Sequence, residues 1–187
     1  MFLISLVGHS NVPRDPLYVR DCEIRTFRSP GARADRFDDN PVLREVLGWQ
    51  HDLAILFLGS NDVSPDVEAY EITENIKAIV NKLKQCARKV TIVLLEPRVI
   101  TNAPPGRPDQ GTYNRVVRSV NRKLQRDLRE HDFINFSAPY FRQHLKPDGV
   151  HWNSEGKAKV KRDLLRYINR TDIQEFFREF ARARTAI

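Results

Sequence analysis

Asp148-Gly-Val-His151 sits in a Pro- and Gly-punctuated loop, Leu145 to Asn153, just ahead of a helical pattern. A carboxylate three residues before an imidazole can share one cleft with it. There it would fix the ring's tautomer and stabilise the imidazolium formed when the ring takes a proton. Such a base needs a nucleophile. Ser10 follows the first apolar run directly, where a hydroxyl at a strand tip is exposed and its backbone N–H can donate. Ester hydrolysis also needs donors for the oxyanion. Gly31 offers an N–H with no side chain in the way, and Asn61 offers a side-chain amide. Each residue also has a plainer role: Ser10 as a turn residue, Gly31 as loop punctuation, Asn61-Asp62 as a helix-entry cap. His9, beside the nucleophile, could touch substrate, carry a proton or fill a turn.

The elements that would position these groups follow from the hydrophobic pattern. Phe2 to Gly8, Leu53 to Leu58 and Val90 to Leu95 are short continuous apolar runs, as in strands buried on both faces. Glu23 to Arg28 alternates and reads as a strand, and Phe133 to Phe136 as a short fifth one. Helices are expected from Asn40 as cap with Pro41 in its first turn, from about Asp66 to Cys86, from about Gln110 to His131, from Ser154 as cap to Ile168, and from about Asp172 to Arg182. In the first of these Val42, Leu43, Val46 and Leu47 would face inward. The Pro-rich stretch from Arg98 to Gly111 reads as a long loop forming a semi-rigid rim. Strands alternating with helices mean an α/β domain with a mostly parallel sheet, whose ligands bind at the C-terminal strand ends. The loops holding Ser10, Gly31 and Asn61 each follow a strand directly, and the Asp148/His151 loop can reach the same edge. The link between the first two strands is too short for a full helix, so the wall beside Ser10 should be low.

A chain of 187 residues is read as one domain, 1–187, with 172–187 as a C-terminal amphipathic helix and tail. That helix, rich in phenylalanine, is expected to pack on the sheet layers; a dimer or membrane contact is the alternative. Cys22 and Cys86 suit a reducing compartment. No signal peptide or membrane-spanning run is read, so the expected location is intracellular and cytoplasmic. A chain that opens at once on a strand is expected to be a domain of a longer protein. No His/Cys/Asp cluster has metal spacing, and neither a metal nor another cofactor is expected. His51, His131 and His144 are read as structural or solvated. The net charge of +7 favours acidic partners. Arg115, Arg118, Arg122, Arg126 and Arg129 form a helical stripe, either a solvated face or a surface for nucleic acid or anionic membrane.

Taken together, Gly8-His-Ser10, Gly31, Gly59-Ser-Asn61-Asp62 and Asp148-Gly-Val-His151 resemble the four signature blocks of the SGNH (GDSL-type) hydrolases, over residues 2 to 168. The third and fourth blocks are the specific ones. The resemblance implies a flavodoxin-like three-layer α/β/α fold with a five-stranded parallel sheet in the order 2-1-3-4-5. It implies Ser10 as nucleophile, His151 and Asp148 completing a triad, and Ser10 N–H, Gly31 N–H and Asn61 as the oxyanion hole. The leading functional reading is a serine esterase acting on a small acyl ester, with acetyl-type esters expected because the wall beside Ser10 is low. The first block departs from the family's Gly-Asp-Ser-Leu, since His9 and Asn11 flank the serine. The basic domain with Gly-His-Ser is similar to esterase-like domains of animal retrotransposon proteins. In such a setting a weakly active scaffold that binds nucleic acid, membrane or protein is the alternative function.

Overall fold

Alternation along three buried strands builds both faces of the core at once. In the computed structural model, which describes residues 1–14, 17–100, 107–136 and 142–185, β1 (Phe2–Gly8), β3 (His51–Phe57) and β4 (Ala87–Val93) form the middle of the sheet. Val7, Ala54, Leu56, Val90 and Ile92 point to one side. Ile4, Leu6, Leu53, Ile55, Phe57 and Val93 point to the other. β2 (Cys22–Arg28) and β5 (Asp132–Ile134) are the edges, and the order is β2-β1-β3-β4-β5 with every neighbouring pair parallel. The expected α/β/α architecture and strand order are those observed.

α1 (Pro41–Glu45), α2 (Ala69–Leu83) and α3 (Gln110–Asp127) cover the first face. α4 (Ser154–Ile168) and α5 (Thr171–Thr185) cover the second. Each helix buries an apolar stripe; in α3 it is Tyr113, Val117, Val120 and Leu124. No described helix is long and apolar enough to cross a membrane.

Several element ends differ from the sequence reading, each for a local polar reason. β3 begins at His51, two residues before the apolar run. The His51 ring is satisfied inside the fold by Ser5 Oγ (2.7 Å) and Val46 O (2.8 Å), and Asp52 accepts from Leu3 N (2.9 Å). Buried polar groups with partners can occupy a strand as well as leucines do. α2 begins at Ala69, because Ser64 to Val67 close a turn around Pro65. α1 is a single turn continued by a 3₁₀ turn at Val46–Gly48, and Val42 is exposed on it. α3 stops at Asp127, so Arg129 lies beyond its end. α4 is capped by Asn153, not Ser154: the Asn153 Oδ1 accepts from Gly156 N at 2.9 Å. The cap oxygen must reach an N–H about three residues on, and only the residue before the first helical turn can do so.

The C-terminal helix packs on the sheet, as expected. Ile173 and Phe177 are buried with Leu164 and Ile168, and the Phe177 ring stacks on Phe2 with centroids 4.7 Å apart. Phe180, only half-buried, lies under the Arg88 guanidinium. Phe177→Ala should therefore lower the unfolding free energy by about 3–5 kcal/mol, measured by denaturant melts. Phe180→Ala should cost clearly less, and equal losses at the two positions would mean α5 docks differently.

Candidate functional site

The turn after β1 is fixed by a steric constraint. Gly8 has φ +151°, and a Cβ there would lie 2.0 Å from Phe57 O. With no side chain, β1 can end hard against β3, and His9 N donates to Phe57 O at 3.1 Å. Ser10 then emerges partly exposed at the C-terminal edge. Its carbonyl accepts from Arg28 Nη2 (2.9 Å) and Nε (3.3 Å), so the end of β2 holds the Ser10 loop. Among the described residues no helix lies between β1 and β2.

Three donors named from the sequence gather at this edge on different supports. Among the described residues, neither Ser10 N–H nor Gly31 N–H is used within the protein. Asn61 is oriented at both ends: its Nδ2 donates to Ala32 O (3.0 Å), and its Oδ1 accepts from Arg98 Nη2 (3.2 Å). One amide proton of Asn61 remains for another acceptor. The neighbouring Asp62 is buried, and its carboxylate accepts from Ala34 N (2.8 and 2.9 Å) and Asp35 N (3.1 Å). Burial pushes the Asp62 carboxyl up to about 6, against the pull of those N–H groups. Asp62 thereby ties the Gly31 loop to the Asn61 loop; it is not a helix cap.

The late loop is a closed unit. Leu145 and Trp152 form an antiparallel bridge, and Lys146 N donates to His151 O at 2.8 Å. Gly149 has φ +65°, and a Cβ there would stand 1.7 Å from Val99 O, so the loop presses against the segment leaving β4. Asp148 Oδ1 accepts from the backbone N–H of Val150 and His151, both at 2.9 Å, and Oδ2 meets His151 Nδ1 at 2.7 Å. Partial burial alone would raise the Asp148 carboxyl, but those bonds and the imidazole outweigh it and hold it at about 2. An ionised Asp148 holds the proton on Nδ1 and leaves Nε2 able to accept one. Ser10 and His151 line the same cleft of about 240 Å³. Among the described residues no hydrogen bond joins Ser10 Oγ to the His151 ring, as is common before substrate tightens such a site.

His9 is not on the cleft wall. It is 5% exposed, with Asn11 N donating to its Nδ1 at 3.2 Å. Burial, then the nearby Arg98, His151 and Arg28, depress its pKa to about 3, which keeps the ring neutral. Asn11 also reaches a residue just past the expected fourth strand, which the sequence did not single out. Glu96 is buried and accepts from Asn11 Nδ2 at 2.7 Å. Burial raises its carboxyl to about 7, opposed by Asn11, Arg98 and Trp152. An acidic residue ending a buried strand at the ligand edge was the available signal. His51 is buried in the core, and the His131 ring bonds Val90 O at 3.1 Å. Of the expected rim, residues 101–106 lie outside the described residues.

Residues 14–159 match the model of the GDSL-like Lipase/Acylhydrolase family, a stretch that includes Gly31, Asn61, Asp148 and His151 and begins beyond Ser10. A comparison with curated protein sequences returns no match. Among solved structures, a lipase/acylhydrolase from Enterococcus faecalis aligns with TM-score 0.67 and 18% identity, over 90% of this chain and 95% of that one. A lipolytic protein of the G-D-S-L family from Veillonella parvula aligns with TM-score 0.68 and 15% identity, over 90% and 98%. A carbohydrate acetylesterase from Sinorhizobium meliloti aligns with TM-score 0.66 and 14% identity, over 90% and 98%. At such identities these structures speak for the fold.

The raised Glu96 carboxyl links folding to pH. The folded protein binds this proton more tightly than the unfolded chain does. The resulting stability is complete below the unfolded value of 4.5 and is lost as pH rises through about 7. Glu96→Gln removes that dependence. The unfolding free energy of wild type minus variant should fall by about 2 kcal/mol between about pH 5 and about pH 8, measured by urea melts at each pH. A difference that stays constant would mean that Glu96 is not strained by ionisation.

Proposed function

Since the chain belongs to the GDSL-like lipase/acylhydrolase family, we propose that it is a serine esterase hydrolysing small acyl esters, with Ser10, His151 and Asp148 as its triad. The observation that best supports this is the His151 ring, held by Asp148 at 2.7 Å, lining one cleft with Ser10. In this reading Ser10 Oγ attacks the ester carbonyl carbon while His151 Nε2 takes the hydroxyl proton. The tetrahedral oxyanion receives the N–H groups of Ser10 and Gly31 and the remaining Asn61 amide proton. Collapse breaks the bond to the alcohol oxygen, which leaves with the proton from His151. A water molecule, deprotonated by His151, then attacks the acyl-serine; the acid departs and Ser10 regains its proton. Asp148 stays ionised throughout and offsets the imidazolium charge.

The exposed arginines of α3 support a second reading. Arg115, Arg118, Arg122 and Arg126 are exposed along one helix, with Arg129 just past its end, and of these Arg126 is engaged by Asp127. A mobile-element protein could use that face on nucleic acid or an anionic membrane, with catalysis weak. Ser10→Ala should abolish turnover of p-nitrophenyl acetate, and Asn61→Ala should lower kcat by roughly 10²-fold or more. Full activity in Ser10→Ala would remove the esterase reading. In that event salt-sensitive RNA binding, lost on Arg118→Gln with Arg122→Gln, would favour the second.

Substrate size follows from the cleft. It is small, and among the described residues its apolar wall is Val12, Pro13, Trp152 and Val160. Each methylene left in water forgoes about 0.8 kcal/mol. We expect kcat/KM to fall from acetyl to octanoyl p-nitrophenyl esters. A steady rise towards octanoyl would require an apolar pocket elsewhere.

A further inference from the structure

Among the described residues, the charged side chains lining the cleft beside His151 are all basic. Its wall holds Arg14, Arg28, Lys146, Lys157 and Lys161, and among the described residues no carboxylate lines it. Their places are set by backbone. Arg28 is bonded to the Ser10 carbonyl, which puts its guanidinium one peptide unit from the nucleophile. Lys146 pairs through its N–H with His151 O, on the side of the base. Lys157 and Lys161 are one turn apart on α4, with Val160 between them at the cleft.

Some cations elsewhere on the fold are paired: Arg25 with Glu23, Arg33 with Asp35, Lys77 with Glu74, Lys159 with Asp163. Among the described residues, Arg14, Arg28, Lys146 and Lys157 form no ion pair with a carboxylate. Arg14 is close enough to Arg28 that, after burial, its charge is the next influence lowering the Arg28 pKa. Like charges lining a concave wall reinforce one another's field in the space they enclose. That field opposes a cationic ligand, gives nothing to a neutral one and attracts an anion.

We infer that the substrate is an acyl ester that also carries a negative charge, as phosphate or carboxylate, placed between Arg28 on one side of Ser10 and Lys146 and Lys157 on the other. This rests on the esterase reading and adds its substrate class. Arg28 suits a planar, two-toothed contact to such a group, and the lysines act as point charges around it.

A matched pair of acetyl esters tests it: para-acetoxybenzoate, which is anionic, and its neutral methyl ester, each rate divided by the ester's own hydroxide-catalysed rate. At an ionic strength of about 0.05 M, normalised kcat/KM should favour the anion by about 10-fold or more. The preference should shrink at about 0.5 M, where the screening length is shorter. It should also shrink in a variant combining Lys146→Gln and Lys157→Gln. Para-acetoxyphenyl phosphate in the same assay separates a phosphate preference from a carboxylate one. Equal normalised rates for the charged and neutral esters would overturn the anionic-substrate assignment while leaving the esterase intact. Hydrolysis of none of the esters would instead overturn the esterase reading, and this assignment with it.

Discussion

The contact between the ends of β1 and β3 governs the whole ligand edge. Gly8 pairs with Phe57 across the sheet, and no side chain other than hydrogen fits between them. Everything that follows β1 and β3 therefore starts from two backbones locked in register. The Ser10 loop leaves one, and the Gly59–Asp62 loop leaves the other. Replacing Gly8 would push the two strand ends apart and so separate Ser10 from Asn61, although neither residue had changed. A parallel sheet makes this economical, since all of its strand ends face the same way.

Behind the cleft lies a polar layer that a purely apolar core would not contain. Asn121 and Asn114, two turns apart on α3, bond the backbone of Leu95 and Arg98 through both amide oxygen and nitrogen. Arg98, so anchored, lies over Tyr113 and holds Asn61. Glu96 holds Asn11 on the other side. A buried carboxylate without donors would cost several kcal/mol, so the donors and the carboxylate constrain one another's positions. The Ser10 loop and the Asn61 loop are in this way both referred to the same short stretch of backbone after β4.

The strands and their alternation with helices were legible because buried strands and helical stripes have distinct periods, and Gly8, Gly31 and Gly59 mark the strand exits; the strand order came only from the resemblance to the SGNH hydrolases. The Asp148–His151 contact was legible because their spacing within a loop forces proximity. Other features carried no such period. His51 and Asp52 inside β3, Asp62 on the backbone of Ala34 and Asp35, and Glu96 under Asn11 are single polar residues. Each partner lies in a distant part of the chain, and only the tertiary fold brings the two together. His9 shows the same limit: its position beside Ser10 was plain, but its burial depends on what packs behind the loop.

The charge around the cleft bears on the chemistry as well as on binding. On the esterase reading, His151 must become positively charged in each half-reaction, in a cleft whose wall also holds Lys146 and Arg28. Neighbouring cations oppose that charge. Asp148 is the resident counterweight, and three hydrogen bonds keep it ionised to about pH 2. It is half exposed, however, and water screens its attraction. A substrate anion seated among the same cations would cancel part of their opposition at the moment the imidazolium forms. Binding energy from a remote charged group would then reach the transition state and would raise kcat as well as lower KM. A neutral ester would leave that opposition in place.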